Sequence, residues 1–493
     1  MQLRIRFGWL VLLVFAAASA SAQQLSGSVS PIIVPYSLDQ LLAEDNKSPY
    51  SGSVPATHLT PGEMSISVEE AIDMGLKFNL GLVLSGQTAE QTRAARLREL
   101  SDIIPHLNGS LSEAEFKANV LAEGFNLGPS GANFGIHGDA VRYSNTDARV
   151  SMKEDLIDLH AIDNLRAAGA NVRAANFSFS AAKETVTLAV AASYLLVIAA
   201  ESQLEAATAE LTTAEALRRL AEDRESAGLA PNIDTLRARV EEQVRRQNLI
   251  QAKNNVDKQR ITLMRVLGLP VHQQFKLTSR VPYRPLPPVT EETILQRALA
   301  SRPDYLALDQ QVKAAELQKR AAEAERLPSL GLSGDYGSLG THPSNMFPTW
   351  TVAAGIQVPI FEGGKVESDI RSADVTLRQR RAQRDDLRGR IEQDVADALL
   401  DVASAAEQVE VARSTLDYAN QTLVQSQDRF AAGVTNNIEV VQAQEALATA
   451  NDQYISSLYS HNIAKVLLAR AMGAAEQTLR QVLGEAAAPA PQK

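Results

Sequence analysis

The sequence predicts a mainly α-helical chain with a small β part, built as one helix–strand–strand–long helix–helix unit used twice. Three observations predict it. Landmarks recur at one spacing: Arg224-Glu225-Ser226-Ala227-Gly228-Leu229 reads like Arg429-Phe430-Ala431-Ala432-Gly433-Val434, 205 residues on, and Leu267-Gly268 matches Met472-Gly473 at the same 205. Heptads run through the two longest helical stretches. Short segments of period 2 interrupt the helices once in each copy.

Taken in order, residues 1–22 read as an export signal. Arg4 and Arg6 form its basic region, Phe7 to Ala18 its apolar core, and Ala20-Ser21-Ala22 its small-residue cleavage site. Residues 23–63, rich in Ser and Pro, read as an extended segment. The first repeat covers 64–270: a helix over about 66–100, two strands, a long helix from Ala161 to Ala227, and a helix over about 232–268. A linker, 271–290, follows. The second repeat covers 291–474: a helix over about 291–327, two strands, a long helix from Lys365 to Ala432, and a helix over about 436–472. Residues 475–493 read as a flexible tail. Pro105-His106-Leu107 matches Pro328-Ser329-Leu330 at an offset of 223, which puts about 18 extra residues in the first copy between Pro105 and Leu156.

Composition narrows the class. Of 493 residues, 45% are apolar, 22% charged and 5% aromatic, so the chain is not globally disordered and favours helix. It has no cysteine, hence no disulfide, thiolate metal site or lipid-anchored N-terminal cysteine. Subtracting Arg4 and Arg6 from the 48 basic side chains leaves 46 against 58 acidic, a net charge of −12, which argues against a nucleic-acid partner. After the signal the best apolar run is Leu188 to Ala200, short of the roughly 20 residues a membrane helix needs. A chain that spans an outer membrane as β-strands stays open, as does a periplasmic or secreted one.

The long helices carry a coiled-coil seam. Val395, Val402, Val409, Leu416 and Leu423 form one row, and Ile391, Ala398, Ala405, Ala412 and Ala419 the other. The first copy repeats this with Val190, Val197, Leu204 and Leu211 beside Val186, Ser193, Ala200, Ala207 and Ala214, failing only at Arg218, opposite Leu423. A large row beside an Ala row lets helices approach closely. Each long helix would run roughly 100 Å at 1.5 Å per residue. Gly228 and Gly433 stand where the chain must reverse through φ > 0.

The strands alternate. Leu107, Gly109 and Leu111 lie on one face, as do Val150, Met152 and Leu156; in the second copy Leu330, Leu332 and Tyr336 precede Val352, Ala354, Ile356, Val358 and Ile360. Four strands leave two open edges, which lipid does not tolerate, so membrane-spanning strands require association of chains. Two chains would supply eight strands and three would supply twelve. The stretch from Glu113 to Asn145 reads as a long outward-facing loop.

The order of these elements, with Ala71–Leu76 and Ile294–Leu299 at the repeat starts, Leu156-Ile157-Asp158 and Ile360-Phe361-Glu362-Gly363-Gly364 entering the long helices, and Arg429–Gly433 followed by Ile438-Glu439-Val440-Val441, resembles the outer membrane efflux protein family, the TolC-like channels. The resemblance covers about residues 64–473. It implies a homotrimer whose twelve-stranded barrel lies in outer-membrane lipid and whose α-helical barrel stands in the periplasm. It also implies a periplasmic adaptor (membrane fusion protein) and an inner-membrane transporter as partners.

The resemblance also marks residues. Arg224, Gly228, Leu229 and Ala230, with Arg429, Phe430, Gly433, Val434 and Thr435, correspond to the hairpin tips that meet the adaptor. Asp234 and Glu439, six residues past each tip glycine, correspond to an acidic pore constriction; both also suit a helix N-terminus. Where other members close the pore with an aromatic hydroxyl and a basic side chain, this chain has Phe430 and Thr435, so the lock is expected to be absent or built otherwise. Arg224 and Arg429 are the candidate ion-pair donors.

No catalytic chemistry is expected, and no cofactor. Seven histidines are scattered outside metal-ligand spacing, and Asp155, Asp158 and His160 cluster at a strand-to-helix junction where Asp158 is expected to cap the helix. Two other readings compete with the duct: a periplasmic coiled-coil scaffold or adaptor without a barrel, and a secreted enzyme with a coiled-coil body acting through Asp158 or His160.

Overall fold

The computed structural model describes residues 49–54, 62–119, 140–279, 283–286 and 290–474. The export signal, most of the extended segment, the middle of the Glu113–Asn145 loop, parts of the linker and the tail lie outside the described residues.

The first repeat comprises β1 (Met64–Ile66), α1 (Val68–Phe78), α2 (Leu80–Ser101), β2 (His106–Asn119), β3 (Ala140–Ile157), α3 (Leu159–Ser226) and α4 (Asn232–Leu267). The second comprises β4 (Phe275–Leu277), α5 (Glu291–Ser301), α6 (Pro303–Ala324), β5 (Ser329–Gly340), β6 (Met346–Gln357), α7 (Lys365–Ala431) and α8 (Asn437–Ala471). The long helices α3 and α7 have 68 and 67 residues. Near the strands α3 packs between α2 and α6, with α7 beyond α6; towards the Gly228 and Gly433 turns α4 packs on α3, α8 on α7, and α3 against α8. The heptad rows are the seam: Ile391, Val395, Ala398, Val402, Ala405, Val409, Ala412, Ala419 and Leu423 are buried, as are Val186, Val190, Val197, Ala200, Ala207 and Ala214. Arg218 interrupts the row without disorder, because Glu242 of α4 and Glu222 one turn on take its guanidinium.

Two features correct the expected helix pattern. Each short helix before the strands is broken, at Asn79 and at Arg302, both with extended backbone. Asn79 ends α1 and caps α2, its Oδ1 accepting from the amides of Gly81 and Leu82 at 2.9 and 3.4 Å. Arg302 is driven out of the helical region by Pro303, and its buried guanidinium pairs with Asp304 and Asp394 at 2.7 and 2.8 Å. The second feature is a parallel pairing of β1 with β4, Met64 to Phe275 through Ile66 to Leu277, which ties the repeats together.

The main core lies halfway along α3. Val186 to Val197 are wrapped by α1, β1, β4, the end of α4 and the end of α8, and the Tyr194 hydroxyl donates to Ile66 O at 3.0 Å. The apolar run Leu188–Ala200 is therefore core. Residues 283–286 cross α8 here. The Tyr283 ring lies 4.9 Å from that of His461, and Arg284 O accepts from the Lys465 ammonium and from His461 Nε2.

The four long strands form one antiparallel sheet in the order β2-β3-β5-β6. The strands extend further than expected, β2 to Asn119 and β3 back to Ala140, which shortens the loop. Directly paired residues share a face. Leu107↔Met152, Gly109↔Val150, Val150↔Tyr336, Tyr336↔Trp350, Gly334↔Val352 and Leu330↔Ile356 build an apolar face. Leu107, Leu111, Val150, Tyr336, Trp350, Val352 and Ile356 on it are exposed. The opposite face is polar: Arg149 spans Asp147 and Asp335 at 2.9 and 2.8 Å.

Candidate functional site

The two turns that end α3 and α7 lie side by side at the end of the molecule away from the sheet. Each is the same helix stop. Leu229 N–H donates to Arg224 O at 2.8 Å and Gly228 N–H to Glu225 O at 2.9 Å; Val434 N–H donates to Arg429 O and Gly433 N–H to Phe430 O, both at 3.0 Å. Gly228 and Gly433 have φ of +70° and +75°, the left-handed conformation this stop requires. The next residues, Leu229 and Val434, are each 70% exposed, and Ala230 and Thr435 lead into the following helices.

Two side chains, Arg224 and Asn437, bond across the repeats and hold the tips together. Arg224 reaches over the C-terminus of α7, where its Nη1 donates to Phe430 O and, at 3.3 Å, to Ala431 O. Its guanidinium lies 4.9 Å from the centre of the Phe430 ring. A cation on the last carbonyls of a helix is favoured by the helix dipole. In return, Asn437 of α8, fully buried, donates through Nδ2 to Asp234 O at the start of α4, 3.0 Å away. Thr235 adds a hydroxyl bond to Ala221 O at 3.3 Å.

The two acidic candidates differ. The Asp234 side chain is 8% exposed and 3.4 Å from Arg237, one turn along its own helix. The Glu439 side chain is 37% exposed, 3.4 Å from Arg429, and accepts from the Thr435 hydroxyl at 2.5 Å. The ion-pair expectation holds for Arg429, whereas Arg224 serves carbonyls and a ring. Phe430 is buried under Arg224 and turns inward, away from the tip surface that Leu229 and Val434 present. Sequence reasoning did not single out Asn437; an Asn436-Asn437 pair at a helix start reads only as a cap, which Asn436 supplies to Ile438 N–H at 3.2 Å.

At the other end of α3, Asp158 Oδ1 accepts from the amides of His160 and Ala161 at 2.8 and 3.2 Å, a helix cap. His160 Nδ1 meets Ala321 O at 3.0 Å and Nε2 meets Asn164 at 2.9 Å, so both ring nitrogens are occupied by structural bonds. No group of side chains among the described residues could hold a metal ion.

The profile of the outer membrane efflux protein family matches residues 104–269 and 294–474. The chain is similar to the probable outer membrane lipoprotein SilC of Salmonella typhimurium, 26% identical over 245 residues, 49% of this chain and 51% of that protein. It is also similar to the alkaline protease secretion protein AprF of Pseudomonas aeruginosa, 26% identical over 243 residues, 48% of this chain and 50% of that one. The match thus spans about half the length of these curated relatives. Its fold resembles the crystal structure of the Campylobacter jejuni CmeC outer membrane channel, with a TM-score of 0.72 at 18% identity, covering 85% of this chain and 89% of that chain. With both repeats matched, over well more than half its length, the chain belongs to the outer membrane efflux protein family.

Proposed function

We propose that the chain is the exit duct of a tripartite efflux pump or type I secretion system. In this reading three copies close a twelve-stranded barrel in outer-membrane lipid, and their helices form a periplasmic tube. Solutes reach it from an inner-membrane transporter through a periplasmic adaptor. The observation that carries the reading is the sheet. It has two unpaired edges, β2 and β6, one exposed apolar face and one polar face. Lipid demands closed edges and an apolar exterior, and a channel needs a polar lumen. Over its 12 residues, Met346–Gln357, β6 advances about 36 Å at ~3.3 Å per residue, enough for a strand tilted by about 45° to cross the roughly 25 Å apolar band of such barrels.

The tips would meet the adaptor through Gly228, Leu229 and Ala230 and through Gly433, Val434 and Thr435, with Arg224, Arg429 and Phe430 shaping them from behind. Of the two carboxylates assigned to the constriction, Glu439 is the better placed, because Asp234 is already covered within its own chain. Three Glu439 carboxylates would favour cations and oppose anions. Substrate choice would rest with the transporter, a separate chain.

Electron microscopy of the protein, extracted in detergent from the outer-membrane fraction, tests this. Threefold particles with a helical tube of roughly 100 Å are expected, from the rise of a 68-residue helix. A monomer that leaves the membrane in a salt wash would overturn the barrel and leave a periplasmic coiled-coil scaffold.

A further inference from the structure

The duplication supplies an internal control. Along the α7–α8 hairpin the seam is apolar: Leu423 is buried in an apolar cluster that Leu447 packs against, and Ala450 is buried. The equivalent positions of the α3–α4 hairpin, 205 residues earlier, are Arg218, Glu242 and Arg245. Buried charges cost desolvation free energy that an apolar seam avoids, and their best-attested use is to set register or act as a switch. Arg245 sits where α3 and α4 meet α8, about 25 Å from the Gly228 turn by helical rise. Its Nε lies 2.7 Å from Glu241 Oε1 on α4 and its Nη1 3.4 Å from Glu210 Oε2 on α3, with all three side chains largely buried. From the second repeat, Asp452 of α8 enters the same cluster and accepts from Gln203 Nε2 of α3 at 3.2 Å.

The other charges nearby are committed elsewhere. Arg246 pairs with Glu242 at 2.7 Å and Glu215 at 3.6 Å, and Arg218 pairs with Glu242 and Glu222. Two carboxylates, Glu210 and Glu241, therefore hold the Arg245 guanidinium, and Asp452, bonded to Gln203, faces it across the helix interface and feels its charge without pairing with it. The second repeat has Thr415, Ala446 and Ala450 at the positions equivalent to Glu210, Glu241 and Arg245.

We infer that Arg245, with Glu210 and Asp452, is a proton-responsive latch that positions the α3–α4 hairpin against α8 and so sets how readily the Gly228–Gly433 end opens. The inference rests on the duct reading only for its last clause.

The sign follows from burial. Desolvation pushes the Glu210 carboxyl above the usual range, with Asp452 and Glu241 adding to it and Arg245 opposing. Burial likewise raises Asp452 against the Gln203 bond and Arg245. A carboxylate whose pKa is raised in the docked state favours docking when protonated. Docking is therefore strongest at low pH. It weakens as pH rises from the ordinary carboxylate range through the raised values of the docked state, where Arg245 alone offsets the repulsion.

The test is hydrogen exchange on the full-length assembly, read in segments spanning 203–210 and 450–455 between pH 5.5 and pH 8, corrected for intrinsic rates. The wild-type protein is expected to exchange several-fold faster at pH 8. Glu210→Gln combined with Asp452→Asn is expected to remain protected at both. Arg245→Met is expected to exchange about tenfold faster than wild type at pH 8 and to approach it at pH 5.5, the reverse of a generally loosened fold. A pH-independent wild-type contact, a double variant that keeps the pH dependence, or an Arg245→Met protein that acid does not rescue would each overturn the latch. Should Arg245→Met fail to assemble, the double variant decides alone. Single-channel recordings of the same samples read the duct separately: absent conductance with an intact exchange pattern overturns the duct and spares the latch.

Discussion

Arg224 holds Phe430 twice: its guanidinium lies 4.9 Å from the ring centre and donates to the carbonyl of the same residue. One side chain thereby joins the tip of the first repeat to the last turn of the long helix of the second. Phe430 has no hydroxyl to donate, and the contact across the repeats is made by Arg224 instead.

Replacing Arg224 with Met should free the tips. A charged hydrogen bond and a cation–π contact together contribute about 1–3 kcal/mol. Mean single-channel conductance in planar bilayers should rise, and Arg224→Lys should fall between, since an ammonium keeps the charge but loses the planar guanidinium that lies over the Phe430 ring. Equal conductance in all three proteins would place the lock elsewhere.

Glu439→Gln should lower cation selectivity. The substitution keeps an acceptor for the Thr435 hydroxyl and removes the charge beside Arg429. Reversal potentials in a salt gradient read it directly; an unchanged value would take Glu439 out of the constriction.

Gly433→Ile and Gly228→Ile form a matched pair. Both force a β-branched residue into positive φ, at a cost of about 1–2 kcal/mol. At Gly433 alone the new Cβ also comes within 3.3 Å of Arg224 Nη2, while nothing lies within 4 Å at Gly228. Export in cells at equal protein level should fall more for Gly433→Ile, with assembly in the membrane unaffected. Undiminished export would remove the tips from the working surface.

Lys465 gives a second pH effect at the other end of α8. Burial, with Arg284 adding to it, lowers its ammonium to about 8. A lysine depressed in the folded state lowers stability while it is forced to stay charged, so stability should rise as pH climbs from about 8 towards 10.5. Lys465→Met should melt roughly 2–4 °C above wild type at pH 7, for about 1 kcal/mol, with the gap closing at pH 10. A constant gap would mean that packing, not charge, separates the two proteins.

Most of the architecture is legible because it is periodic. Seven-residue spacing from Ile391 to Leu423 needs nothing beyond the chain itself, and the repeat at 205 doubles the signal. Pairings between distant segments are not legible in that way. Nothing local in Met64–Ile66 points to Phe275–Leu277, since three residues carry no period. Pro303 carries the local signal for the break at Arg302, which the helix expected over 291–327 runs through; the break at Asn79 depends on a capping side chain in a helix-like context. In the site, glycine turns and first-turn acids show in the sequence. The partners of Arg224, Asn437 and Arg245 lie on other helices, and only packing reveals them.

The open edges of the sheet have a genetic consequence. If three chains must meet before any β2 or β6 edge is closed, strand folding and assembly are one event, and each newly exported chain needs an escort until it finds two others. An allele damaged at one edge would then act on its neighbours as well as on itself. When half the chains in a cell carry it, only about an eighth of randomly assembled trimers would be wholly sound. Such an allele should behave as a dominant negative, whereas an allele that prevents the chain from folding at all should be recessive.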